Sequence, residues 1–382
     1  MSIELRSLSY RSTAVIAAAV LALSACSSSE EETAPTGEEP WEIEAVFVEC
    51  ESGEELASCE GEETLDTYKA LDGEQVDQEV DVCVLVPHVQ DPVWLGINYG
   101  AASEAERLGV SMQFNGAGGY ENIAEQNTQV EDCVSQGYDS VVVGAVSADA
   151  LDPALAQAQD RGVHIIDGGN GVNSEHVDAR AVLDYYQMGS TIGEHLVERN
   201  EELSVALLPG PAGAGWSERS VVGFEDAIEG SDVELVDTRY GDPTREVQAG
   251  LVEDALSADS ELDVVVGTAV TAEVATSILE ERGLTDEVDN YSTYISPALT
   301  TSLEEGTVAC APNDQGVFLA RIMIDLAVRT ALDIPYENDT HRAAPSPQLV
   351  CGPGAGDADN FAEFDPESVF APDDWSPVND VN

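Results

Sequence analysis

From residue 82 to residue 332 short apolar runs alternate with longer amphipathic stretches. The runs at 82–86 (VCVLV), 110–114, 140–143 (SVVV) and 163–166 (VHII) are four or five residues long and rich in β-branched side chains. Between them, 94–108, 121–135 and 151–160 carry apolar residues at helical spacing and stop at Gly109, Gly137 and Gly162. Such strands separated by helices predict βαβ units, whose parallel sheet must be covered on both faces. A second cycle follows residues 182–184. Helices at 188–199, 220–228, 244–256 and 272–281 alternate with strands at 204–208, 233–238, 264–266 and 291–295. A last helix is expected at 317–332, after which 343–350 returns toward the middle of the molecule.

The predicted fold class is α/β, with two Rossmann-like, doubly wound parallel-sheet lobes joined by a hinge. Residues 80–183 with 297–340 would form the first lobe and 184–296 with 341–350 the second. Residues 351–382 read as an acidic tail, strapped to the body by Phe361, Phe364, Phe370 and Trp375.

In parallel α/β sheets ligands sit beyond the carboxyl ends of the strands. The loops there gather Trp94, Tyr185, Tyr186, Trp216 and Tyr294. Rings around a cleft suit a guest with a positive or methylated nitrogen, because ring faces are negative and exclude water. Sugars also stack on rings, but sugar pockets usually add many Arg, Asn and Asp hydrogen bonds, and basic residues are scarce in these loops. Each ring alone is more often a packing residue, and Trp216, at a helix start, has covering the strand–helix turn as its plain alternative. The polar candidates are His88, Asp91, Asp184 and Asp314. His88 follows a strand and would donate to a ligand oxygen or else bond the backbone. Asp184 and Asp314 would close hinges by accepting backbone N–H bonds, an acid at a crossover being more often structural than ligating.

Catalysis finds no signature. The turn Gly210-Pro-Ala-Gly213-Ala-Gly215 precedes a helix but lacks the third glycine of a dinucleotide fingerprint, and Glu218 would repel a pyrophosphate. Ser217 is not in a G-x-S-x-G elbow. No C-x-x-C occurs and the five His are scattered, so neither metal nor other cofactor is expected.

Charge narrows the partners. Seventy-five acidic residues face 14 basic ones, Lys69 being the sole lysine, for a net charge of −61. Nucleic acid is excluded as a partner, since phosphate contacts need clustered Lys and Arg. Surfaces this acidic and this poor in Lys suit high salt, where counterions screen self-repulsion, so a halophilic host is expected. Near the amino terminus Arg6 and Arg11 precede an apolar run at 13–23, and Leu23-Ser24-Ala25-Cys26 follows. The run is shorter than the roughly 20 residues a membrane span requires and reads as a secretory signal over residues 1–25. Residues 26–79 would be an acidic tether and a small Cys-containing segment. Cys50, Cys59, Cys83, Cys133, Cys310 and Cys351 then form an even set in an exported chain, which favours disulfides. Six cysteines allow fifteen connectivities. Cys50–Cys59 would close a local loop in a segment with little else to hold it, with Cys83–Cys133 and Cys310–Cys351 as the remaining expected pairs.

Tandem α/β units behind an export signal resemble the type I periplasmic binding proteins of the ribose-binding and LacI-like superfamily. The ending Leu23-Ser24-Ala25-Cys26 resembles a lipobox, which implies a lipid anchor on Cys26 and a cell-membrane location facing the periplasm or exterior. Residues 84–100 (VLVPHVQDPVWLGINYG), 117–120 (AGGY) and 184–189 (DYYQMG) are similar to the branch that senses trimethylamine N-oxide (TMAO) for a sensor histidine kinase. Residues 267–273 (GTAVTAE) and 310–314 (CAPND) continue the likeness. The resemblance implies a binding protein and no enzyme, with a ligand cage that includes Trp94, Tyr185 and Tyr294. It departs from the pattern at Val93, where Tyr is common, and at Tyr186-Gln187, where a Trp commonly stands two residues after the crossing acid. One cage wall is thereby altered, which leaves a related methylated amine open as the guest. The superfamily also implies an alternative, delivery of a sugar or other small solute to an ABC permease.

Overall fold

The computed structural model describes residues 39–48, 63–89, 92–212, 215–336 and 341–382. Cys26, Cys50, Cys59 and Asp91 lie outside them. The chain opens on an antiparallel pair, β1 (Glu42–Val48) and β2 (Glu63–Lys69). It continues through β3 (Asp81–Val86), α1 (Pro92–Leu108), β4 (Ser111–Gly116), α2 (Ile123–Gln136), β5 (Ser140–Val143), α3 (Asp152–Gln159), β6 (His164–Gly169) and β7 (Ala179–Val182). Then come α4 (Tyr185–Glu198), β8 (Leu203–Leu208), α5 (Gly215–Ile228), β9 (Val233–Thr238), α6 (Arg245–Ala258), β10 (Val264–Gly267), α7 (Ala269–Arg282), β11 (Asp289–Ser292), α8 (Pro297–Glu305) and β12 (Cys310–Asn313). The return comprises α9 (Gly316–Ala331), β13 (Ala343–Pro345), β14 (Gln348–Cys351) and β15 (Asp380–Val381).

Two parallel sheets result. The first runs β15-β4-β3-β5-β6-β7, parallel except for β15 at its edge, and the second runs β11-β10-β8-β9. All four residues of β5 and of β10 are buried, as strands covered on both faces require. α2 stops at Gly137, which takes φ 89° so that its N–H caps Cys133 O, a conformation glycine adopts without steric cost. Disulfides join Cys83 to Cys133 and Cys310 to Cys351, tying β3 to α2 and β12 to β14.

The passage between sheets occurs at Leu183-Asp184, at Asp314-Gln315 and at Ser346-Pro347. The second of these differs from the sequence expectation, which put residues 297–340 in the first lobe. α8 packs beside α7, and β12 follows β11 through the bonds Ala309 N to Asn290 O (2.8 Å) and Ile295 N to Pro312 O (3.1 Å). The chain thus returns to the first sheet only with α9. Four-residue β12 is hard to recognise from sequence because a proline interrupts its apolar run.

The segment before β3 is also better held than its composition suggests. β1 lies between β2 and β13, and Phe47 and Tyr68 reach the first lobe's core. Two buried carboxylates grip it from the helices beneath. Asp325 of α9 accepts from the Tyr68 hydroxyl, from Leu71 N (2.6 Å) and from Arg329, whose Nη2 also donates to Lys69 O (2.9 Å). Glu104 of α1 accepts from Trp41 Nε1 (2.7 Å) and from Arg107. Burial and the Asp325 charge raise the Tyr68 phenol well above its usual range, so it stays a donor.

The tail is fixed from the same side. Asn98 is fully buried, donates to Val378 O (2.8 Å) and accepts from Val378 N (2.9 Å) and Trp375 Nε1 (3.1 Å). The Trp375 ring meets Tyr99 edge-on. The Asn98-Tyr99-Gly100 motif therefore clamps the tail, and at Gly100 any side chain would collide with Val317 O of α9. Replacing Asp325 by Ala strands the Arg329 guanidinium and the Tyr68 hydroxyl. Denaturant unfolding is expected to show a loss of about 3–5 kcal/mol. A loss below about 1 kcal/mol, the scale of an exposed pair, would mean that apolar burial alone holds the hairpin.

Candidate functional site

A cavity of about 210 Å³ lies between the sheets, walled by residues of both lobes. The first lobe contributes Trp94 from the start of α1, Tyr120 from the loop after β4 and Asn170 from the end of β6. Tyr185 of α4, Trp216 of α5 and Tyr294 after β11 come from the second. Asp314, at the second crossing, completes the wall and is 4% exposed. Among the described residues no Lys, Arg or His lines the cavity.

Each ring is placed by its local chain. Trp94 sits against the strand ends, where Gly144 and Gly169 leave it room: a Cβ on Gly144 would stand 2.7 Å from the indole Cη2. Its Nε1 donates to Tyr120 Oη (3.3 Å), which also receives Asn170 Nδ2 (3.2 Å). The same Asn170 amide donates to Ala145 O (2.8 Å), which ties β5 to β6 at the cavity floor. Trp216 packs over Gly210, whose φ of 118° and missing Cβ the indole requires. It therefore covers the strand–helix turn and faces the cavity at once. Tyr185 lies where desolvation, and then the charges of Tyr120, Asp314 and Tyr294, hold its phenol above the usual range. The hydroxyl remains protonated and able to donate.

Of the residues picked from sequence, Trp94, Tyr185, Trp216, Tyr294 and Asp314 meet around this one space. Tyr186 does not. One helical residue turns it about 100° from Tyr185, and its hydroxyl donates to Asp226 at the surface (3.1 Å). His88 stands behind the wall, its ring edge-on to Tyr120 at 5.8 Å between centroids. Asp184 caps α4 by accepting from Gln187 N (2.9 Å). Tyr120, Asn170 and Thr293 also line the cavity without being candidates from the sequence, where Thr293 falls inside the expected strand 291–295. The Gly118-Gly119 pair with positive φ before Tyr120 is the signal that marks a tight approach there. Among the described residues, His195, Cys310 and Cys351 are grouped closely enough for a metal, but the two sulfurs are bonded to each other.

A model of the periplasmic binding protein domain matches residues 82–332. The periplasmic protein TorT of Escherichia coli (strain K12) is 34% identical over 250 residues, 65% of this chain and 72% of that one. Among solved structures, an ABC transporter solute-binding protein from Bradyrhizobium sp. BTAi1 with bound Bis-Tris is 35% identical. It superposes with a TM-score of 0.80 and covers 88% of this chain and 98% of its own. TorT in complex with the TorS sensor domain in the presence of TMAO is 26% identical with a TM-score of 0.68, covering 78% and 99%. With its two parallel-sheet lobes and a walled cleft between them, the chain belongs to the periplasmic binding protein family, as an extracytoplasmic solute binder and not an enzyme.

Proposed function

We propose that the protein captures a small methylated amine such as TMAO between its lobes and presents the closed form to a sensor kinase. The observation that carries this reading is the wall itself: Trp94, Tyr120, Tyr185, Trp216 and Tyr294 line one cavity together with the buried carboxylate of Asp314. Ring faces attract the positive methylated nitrogen, and the surrounding hydroxyls donate to an oxygen on it. About 210 Å³ also lies below the roughly 300–1,000 Å³ of pockets for drug-sized ligands, which favours a small guest. Contacts from both lobes stabilise closure, because the guest interacts fully only with the closed state. TorT's complex with a sensor domain supports the kinase as partner.

A second reading rests on the Bradyrhizobium neighbour, an ABC transporter component holding Bis-Tris, itself a tertiary amine with hydroxyl arms. Here the closed form would deliver its solute, a sugar or an amine, to a permease. In either case Cys26 would carry the lipid that keeps the protein at the membrane, and the acidic surface would serve in high salt.

Titration in high salt with TMAO, choline, betaine, Bis-Tris, ribose and allose, followed by Trp fluorescence, tests the ligand class. Saturable binding of a sugar with no response to the amines would remove the first reading. Trp94→Ala and Tyr294→Ala are each expected to weaken amine binding more than about tenfold, or 1.4 kcal/mol, with the melting temperature little changed. Asp314→Asn should weaken choline more than TMAO, because only the former carries a net positive charge; equal losses would mean that the carboxylate only shapes the wall. Cys26→Ser should move the protein from the membrane fraction to the soluble one, and unchanged partition would remove the anchor.

A further inference from the structure

Thr293 stands on the second lobe's side of the ligand cavity, 5% exposed, and its Oγ1 is buried without a hydrogen-bond partner. Its position is not loose. Thr293 N donates to Gly267 O (2.7 Å), and the neighbouring Ser292 Oγ donates to Tyr294 O (2.6 Å), so the turn that carries it is pinned to β10 and to itself. A buried hydroxyl left unpaired is destabilising, and buried polar atoms in native proteins are nearly always paired. A guest that brings an acceptor atom to this point removes that cost.

The N–H donors across the cavity are already engaged. Trp94 Nε1 is spent on Tyr120, and Asn170 Nδ2 on Ala145 O and Tyr120. These bonds brace the first lobe's wall and leave the Thr293 hydroxyl opposite as a donor without an acceptor. We propose that Thr293 Oγ1 donates a hydrogen bond to the oxygen of the guest, beside the tyrosine hydroxyls of the wall, and so helps to separate N-oxides from methylammonium ions lacking an oxygen. The inference rests on the methylated-amine reading and deepens it by naming an atom that reads the oxygen. Its placement also gives the bond a role in closure. With Trp94 and Tyr120 on one lobe and Thr293 on the other, the guest's methyl groups and its oxygen are engaged from opposite sides of the cleft.

The test titrates the full chain as wild type, Thr293→Val and Thr293→Ser with TMAO and with tetramethylammonium, in which a methyl group replaces the oxygen. Thr293→Val is expected to weaken TMAO about tenfold, equivalent to 1.4 kcal/mol. Tetramethylammonium binding should hold or tighten in that variant, and Thr293→Ser should keep TMAO affinity near that of wild type. If the valine variant melts early, Thr293→Ala removes the hydroxyl without adding a methyl group and is read the same way. TMAO binding unchanged in the variants that lack the hydroxyl, or a parallel loss of both probes, overturns this inference alone. Wild-type protein that binds neither probe overturns it together with the methylated-amine reading.

Discussion

Rings that come from separate sheets line one cavity only if the relation between the sheets is restrained, and here three chain crossings restrain it. Two of them act together. Gln315, itself at φ 48°, donates through Nε2 to Ser346 O on the neighbouring crossing (2.8 Å). On the second-lobe side the same two strands, β12 and β14, are joined by Cys310–Cys351. The hinge is therefore a bonded pair of strands beside the single strand through Asp184. Asp314 lies within that pair and on the cavity wall, so on the proposed function a residue of the hinge would itself meet the guest. A ligand can shift an open–closed balance only through a difference in its contacts with the two states. A wall built from both lobes and the hinge supplies that difference.

Rigidity is distributed unevenly around this hinge. The first lobe is wrapped from outside: Glu104 and Asp325 hold the β1–β2 hairpin, Asn98 holds the tail, and β15 covers the free edge of β4. An added edge strand also removes a template for unwanted pairing. α1 carries Asn98 and Glu104 along its length and Trp94 in its first turn. The strapping that stabilises the lobe thus also fixes the indole, which is held again by the two glycines at the strand ends. The second lobe has no such wrapping among its described residues apart from the segment following β14.

How much of this is legible in the sequence follows from the range of the interactions. The βαβ alternation is local, and so the strands and most helices fall where periodicity puts them. Trp94, Tyr185, Trp216 and Tyr294 were legible because strand carboxyl ends define where ligands sit. Tyr186 misled because, one residue along α4 from Tyr185, it is turned about 100° away and its hydroxyl reaches Asp226 instead. The hairpin was not legible at all. Its holding bonds join Trp41 to Glu104 and Tyr68 to Asp325, 63 and 257 residues apart, and a run of acidic residues around it resembles a tether. Thr293 and Asn170 were hidden for a different reason. A lone polar residue in a loop becomes informative only when its partners, or its lack of one, can be seen.

The overall charge bears on selectivity in an indirect way. A net charge of −61 would draw any cation toward the surface in dilute buffer. At 1 M salt the screening length falls to about 3 Å, and that attraction would no longer distinguish one solute from another. Discrimination then falls to contacts from which water and ions are shut out. In the proposed site the ring faces and Asp314 would supply such contacts, because dispersion and cation–π attraction act at contact and Asp314 is nearly closed to solvent. On the proposed function the acidic surface would serve solubility, and the choice of guest would fall to residues within the cavity.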